Sequence, residues 1–163
     1  LVVVCDGMGG GPSGKAASST ATDVIIQTVR SGKLSDSPLT VLQQAIKMAN
    51  QALISEIQKK PALRGMGTTV TALLINEYSA IAAYVGDSRI YQFRRGHKKF
   101  RTFDHSMVFE MVRNGTINEE QARLSEQSNM ITKALGANSD IEADIVELPY
   151  EKGDRFMLCT DGS

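Results

Sequence analysis

Hydrophobic and polar positions follow two rhythms along the chain, one helical and one extended, and the switches between them mark the elements. Leu1 to Cys5 is a short β-branched run ahead of a glycine cluster, which predicts a strand buried on both faces. After Gly9-Gly10-Gly11-Pro12, Ser13 is placed to cap a helix from about Lys15 to Arg30, with Ala17, Ala21, Val24 and Thr28 on one side and Gly32 just past its end. Ser37-Pro38 opens a second helix with proline in its first turn. Its apolar set Leu39, Leu42, Ile46, Ala49, Leu53 and Ile57 forms one core-facing stripe, while Gln43, Lys47, Asn50 and Lys59 fall on the solvated remainder.

The extended rhythm takes over at Thr68 to Ile75 and at Ala80 to Gly86, joined by Asn76-Glu77-Tyr78-Ser79. So short a link predicts an antiparallel hairpin. Asp87-Ser88 turns into Arg89 to Phe93, and Gly96 leads on to Phe100 to Phe103, which extends the antiparallel meander. Asp104 is placed to cap a helix from His105 to Arg113, and Asn118 a shorter one through Arg123. Ile141 to Leu148 and Asp154 to Thr160 are the remaining strands. Long helices beside mostly antiparallel, doubly covered strands predict an α+β sandwich. No repeat, low-complexity tract or linker divides residues 1–163, so one domain is expected. Because the chain opens and closes within apolar runs, that domain is expected to be incomplete at both ends.

Composition narrows the classes. A chain of 163 residues can bury roughly 70% of its unfolded surface and needs no disulfide staple. Eighteen basic residues against 18 acidic ones give no net charge, which removes the broad attraction that nucleic-acid binders use. Cys5 and Cys159 lack metal-ligand spacing, and on regular strands their thiols would point apart, so neither a disulfide nor an oxidising compartment is expected. No apolar stretch of about 18 residues and no signal-peptide pattern is present, so no membrane partner and a cytoplasmic location are expected.

Two stretches carry candidate chemistry. Gly9 to Ala16 nearly spells a phosphate-binding loop, G-x-x-x-x-G-K-[ST], between a strand and a helix. Ala16 lacks the hydroxyl that would ligate Mg²⁺, Pro12 removes a backbone N–H, and the hairpins that follow are not a parallel βαβ series. A P-loop NTPase is therefore the weaker alternative. Asp6-Gly7, Asp161-Gly162 and Asp87 instead place three aspartates beside glycine at the ends of apolar runs. Singly, each reads as a turn residue. Together on one rim they would repel one another unless hard divalent cations, which take oxygen ligands, lay between them.

Order and context favour the second reading, because the blocks resemble the metal-dependent protein phosphatase 2C family, bacterial serine/threonine type. They are Val4-Cys5-Asp6-Gly7-Met8-Gly9-Gly10 with Gly14 and Ala17-Ser18, Gly65-Met66-Gly67-Thr68-Thr69, Tyr84-Val85-Gly86-Asp87-Ser88-Arg89-Ile90-Tyr91, and Cys159-Thr160-Asp161-Gly162. Thr102-Phe103-Asp104-His105-Ser106 and Ile131-Thr132-Lys133-Ala134-Leu135-Gly136 look like the family's flap region. The resemblance implies a four-layer α-β-β-α sandwich with two mostly antiparallel sheets. It implies that Asp6 bridges two Mn²⁺ or Mg²⁺ ions, that the Gly7 carbonyl serves one and Asp161 the other, and that Asp87 shares a third, looser site with Asp161. The metals would generate a bridging hydroxide for in-line attack on phosphoserine or phosphothreonine, with Asp6 and Asp161 as the catalytic pair. Phosphoprotein targets of a serine/threonine kinase are the implied partners, and a monomer is expected.

The departures from the family pattern are specific. Its phosphate-binding arginine, the acidic pair before the first strand and the aspartate-asparagine pair after the final block are not in this chain. Met8 stands where eukaryotic relatives carry a histidine general acid, and Leu124 to Asn129 differs from the basic, proline-containing flap segment of the family. A non-catalytic, phosphoprotein-binding relative is the alternative these departures leave open. Elsewhere, His105 reads as structural or solvent-facing, and the basic run Arg94 to Arg101 with His97 as a solvated hairpin tip. Met107, Val108, Met111 and Val112 read as packing, Thr68 and Thr69 as strand residues, and Arg89 as a structural ion-pair partner.

Overall fold

In a computed structural model the structure describes residues 1–32, 36–125 and 130–160. Two long helices open the architecture, α1 (Gly11–Arg30) and α2 (Pro38–Lys59). Strands β1 (Val2–Val4), β4 (Val70–Ile75), β5 (Ala80–Val85) and β8 (Asp144–Leu148) form an antiparallel sheet in the order β1-β4-β5-β8. A second antiparallel sheet holds β6 (Arg89–Arg94), β7 (His97–Arg101) and β9 (Arg155–Cys159) in the order β7-β6-β9. Between α1 and the first sheet, β2 (Gly7–Met8) pairs with β3 (Gly67–Thr68). Two short helices, α3 (Met107–Arg113) and α4 (Glu119–Arg123), share a satellite cluster of Val108, Phe109 and Ala122.

The layering follows from strand alternation. On β5, Ile81, Ala83 and Val85 face the main core with Ile25, Leu42, Ile46 and Leu53 of the helices, whereas Ala80 and Ala82 face the other way. There they meet Leu73, Leu148 and Ile90, with Phe156 and Leu158 packed around them, and this second core glues the two sheets together. Helix pair, sheet and sheet are thus stacked as an α+β sandwich, with both long helices on the outside of the first sheet. No helix among the described residues is long and apolar enough to cross a membrane.

Several expectations hold in detail. Ser37 caps α2 by accepting from the Thr40 N–H, Asn118 forms a reciprocal capping box with Gln121, and β4 and β5 form the expected hairpin. His97, Lys98 and Lys99 are exposed at the β6–β7 hairpin.

Others are corrected. β1 lies at the edge of its sheet and Val2 is exposed, so the first strand is not buried on both faces. α1 begins at Gly11 rather than Lys15, with Gly10 as N-cap, because Pro12 already holds helical φ in the first turn. Ser13 therefore lies inside the helix. β6 does not continue a meander from β5: after Val85 the chain leaves the first sheet and β6 pairs with β7 and β9 in the second. The strand after Gly96 runs from His97 to Arg101, and β8 starts at Asp144 rather than Ile141. Ser106, not Asp104, caps α3, since Asp104 is taken by Arg89. Leu39 and Met107 are exposed, outside the packing assigned to them.

Asn50 is the largest departure from the periodic reading of α2. It is 1% exposed, its Nδ2 donates to the carbonyls of Asn138 (2.8 Å) and Ser139 (3.3 Å), and its Oδ1 accepts from the Gly136 N–H (2.8 Å). One amide thus satisfies three main-chain groups of a distant loop. Asn50→Leu is expected to lower stability by about 1–3 kcal/mol for each buried group left unpaired, measured by urea denaturation. Lys47→Leu, one turn away and exposed, is expected to stay within about 0.5 kcal/mol of the parent.

Candidate metal centre

The first candidate aspartate stands where β1 ends and the chain turns toward α1. Asp6 and Gly7 are half-buried, and the turn is close-packed: a Cβ on Gly7 would lie 1.8 Å from the Gly14 carbonyl oxygen of α1. Only glycine lets the strand end approach the helix this closely. The main chain of Asp6 is held from both directions by Thr69. The Asp6 N–H donates to Thr69 Oγ1 (3.0 Å), and the Thr69 N–H donates to the Asp6 carbonyl (3.0 Å).

Thr69 is not a ladder residue of a strand, as its β-branched neighbours imply, but the junction between β3 and β4. It is 1% exposed. Its hydroxyl also lies 2.8 Å from the Ser88 hydroxyl, and its methyl fills the space where a side chain on Gly86 would sit. One side chain therefore touches the segment bearing Asp6 and both residues flanking Asp87. Sequence reasoning missed this role; the signal available was Thr-Thr directly after Gly65-Met66-Gly67, where a strand begins on a change of direction.

Asp87 is 6% exposed and follows the crossing between the sheets. The flap segment approaches the same crossing. The His105 N–H donates to the Gly86 carbonyl (2.9 Å), and the Gly86 N–H donates to His105 Nδ1 (2.9 Å). His105 Nε2 lies 2.6 Å from Asp144 Oδ2, and its ring stacks on Tyr84 at 5.0 Å between centroids. Because Nδ1 accepts, the proton resides on Nε2 and the imidazole is neutral. Burial lowers its pKa, outweighing the Asp144 carboxylate that raises it. For Asp144, burial pushes the pKa up, but the His105 hydrogen bond together with the Lys133 and Arg113 charges leaves it below the ordinary value. His105 is thus structural, as its sequence context implies, and buried rather than solvent-facing.

Arg89 takes the structural role expected of it, with Asp104 as its partner. Its Nε and Nη2 donate to the two carboxylate oxygens of Asp104, each at 2.9 Å, and that hydrogen-bonded pair raises its pKa. Burial pushes the Cys5 thiol up, and both cysteines are free. Lys15 is exposed on α1.

The main chain of Asp6 and the residues on either side of Asp87 thus meet at Thr69, and Gly7 pairs with Thr68, while Asp161 lies outside the described residues, as do positions 126–129 of the flap. Among the described residues no group of three or more His, Cys, Asp or Glu is assembled for a metal ion. The donors present still suit one. Carboxylate and carbonyl oxygens are the ligands of hard divalent cations, and both main-chain groups of Asp6 are held by Thr69.

Comparison with known proteins identifies the chain's relatives. A protein phosphatase 2C-type protein of Streptococcus pyogenes is 39% identical over 164 residues, 99% of this chain and 66% of the relative. The chain thus spans about two thirds of the length of such relatives. The crystal structure of the Mycobacterium tuberculosis serine/threonine phosphatase PstP/Ppp superposes with a TM-score of 0.90 at 31% identity, over 98% of this chain and 67% of that one. A structure of the PstP catalytic domain in complex with two manganese ions superposes with a TM-score of 0.83 at 31% identity, over 98% of this chain and 66% of that one. The family model for protein phosphatase 2C matches residues 1–163. On that match and these relatives, the chain belongs to the protein phosphatase 2C family.

Proposed function

We propose that this chain forms most of the catalytic domain of a metal-dependent phosphatase that hydrolyses phosphoserine and phosphothreonine in proteins. The observation that supports the reading is the Thr69 junction, which bonds the main chain of Asp6 and the hydroxyl of Ser88, the residue after Asp87, to one buried threonine. Asp6, Gly7 and Asp161 would hold two Mn²⁺ or Mg²⁺ ions, and Asp87 would share a looser third site with Asp161. Bound divalent cations supply Lewis acidity and lower the pKa of coordinated water. The protein's own part is to fix oxygen donors on rigid strand ends, so that no reorganisation is needed when charge develops on the phosphoryl group. The manganese-bound relative supports the choice of metal.

The same reading makes the enzyme a monomeric cytoplasmic protein acting on the targets of a serine/threonine kinase.

Calorimetric Mn²⁺ titration of the full-length domain beside its Asp6→Asn variant tests the reading. The variant keeps side-chain size and removes a ligand charge, and its affinity is expected to fall by more than the roughly 10–100-fold typical of losing an outer-shell partner. Release of p-nitrophenol from p-nitrophenyl phosphate is expected to fall with it. Matching titrations, or no Mn²⁺-dependent turnover in the parent domain, would favour a phosphoprotein-binding module. Lys15→Ala is expected to leave turnover unchanged, whereas a nucleotide-binding loop would lose Mg²⁺-ATP affinity. Thr69→Val removes the shared hydroxyl while keeping side-chain shape and is expected to cost about 10–100-fold in metal affinity; Thr69→Ser is expected to recover most of it.

A further inference from the structure

Asp87 lies one residue beyond the point where the chain leaves the first sheet, and its direction is set at Gly86. The φ of Gly86 is 110°, a region that side chains disfavour, and a Cβ there would stand 2.7 Å from Thr69 Cγ2. Glycine is thus required at the pivot, yet glycine also has the most conformational freedom to lose. Something outside the segment must hold it.

His105 does so on both sides of the residue. Its N–H grips the Gly86 carbonyl and its Nδ1 receives the Gly86 N–H, each at 2.9 Å. Because peptide units are planar, these two bonds fix the planes before and after Gly86, and the second plane carries the amide of Asp87. The ring is itself locked. Nε2–H donates to Asp144 at 2.6 Å, and the face lies on Tyr84 at an interplanar angle of 15°. Tyr84 and Asp144 are directly paired across β5 and β8, so one rung of the first sheet supplies both the stacking surface and the carboxylate. Few side chains accept on one atom and donate from another across this span, and a neutral imidazole is one of them. A carboxylate fixes the tautomer and orientation of a metal-ligating imidazole by the same kind of bond that Asp144 makes to His105.

We infer that His105, held by Asp144, is the positioning residue that aims Asp87 at the looser metal site. The inference rests on the assignment of Asp87 to that site and adds how the carboxylate is directed. Mn²⁺ titration of the full-length domain, followed by calorimetry and by the electron paramagnetic resonance of bound Mn²⁺, separates tight from weak binding. His105→Ala is expected to weaken the weak site about tenfold, leave the tight sites in place, and lower kcat for p-nitrophenyl phosphate with KM unchanged. His105→Asn retains an acceptor oxygen where Nδ1 stands and is expected to recover most of the loss. Asp144→Ala is expected to weaken the same site, and Asp144→Asn, whose amide oxygen still accepts from Nε2, to weaken it less.

Equal impairment of His105→Asn and His105→Ala at matched thermal stability, or a loss shared evenly by tight and weak sites, would show a plain core residue and overturn the inference. If His105→Ala does not fold, the Asn variant and the Asp144 pair carry the same comparison. Asp87→Asn serves as the reference. Unchanged weak-site affinity in that variant would sink the assignment of Asp87 itself, and the inference with it, while the Asp6 result would stand apart.

Discussion

The paired hydrogen bonds between Asp6 and Thr69 join the first strand of the chain to the start of the central hairpin, and the hydroxyl that accepts one of them also reaches Ser88. Three stretches far apart in sequence converge on this one buried threonine. Each by itself would be a loop end with freedom to move. Bound to one another, they become a rigid rim, because Thr69 and Ser88 are shielded from water, where an unmade hydrogen bond is costly. The candidate centre depends on this more than on any charge pair, since main-chain positions decide where the carboxylates emerge.

The fold places that rim by changing sheets. β5 is central in the first sheet and β6 central in the second, and the two are joined by only Gly86, Asp87 and Ser88. A crossing so short brings both sheets to the same end of the molecule. It also explains why the flap is anchored there: His105 on Gly86, Asp104 on Arg89, and the Thr132 N–H on the His105 carbonyl (2.9 Å) tie the residues around α3 to the crossing rather than to the body of a sheet. Movements of the flap and the set of Asp87 are therefore mechanically joined.

How much of this could be read from sequence divides by the range of the interactions. The β4–β5 hairpin, the Ser37 and Asn118 caps and most of the α2 stripe were legible because local periodicity and turn chemistry decide them. Asn50 was not, because a polar residue beside an apolar stripe looks solvated until a loop 86 residues away brings carbonyls and an N–H to it. Asp104 and Ser106 are chemically equivalent caps; the choice between them was made by Arg89, 15 residues upstream. The meander failed for a similar reason: Asp-Ser after a strand turns a chain equally well within a sheet or out of it. At the site, the ordered family blocks named Asp6, Gly7, Asp87 and Asp161 as candidates and contained Thr69 and His105 without a role for either, because those contacts exist only once β3, β5 and the flap are folded against one another.

The alanines of β5 carry a consequence beyond packing. Ala80 and Ala82 give the central strand little side-chain bulk on the face toward the second sheet, and Leu73, Ile90 and Leu148 close on them there. The strand behaves as a stiff rod clamped along its length and loaded at its tip, where Gly86 and Asp87 protrude. A methyl group added at its middle has nowhere to go but into displacement of the tip. Selection on the geometry of the candidate centre would then act on residues packed well away from it, and the tolerance of β5 to substitution becomes a measure of how finely that rim is set.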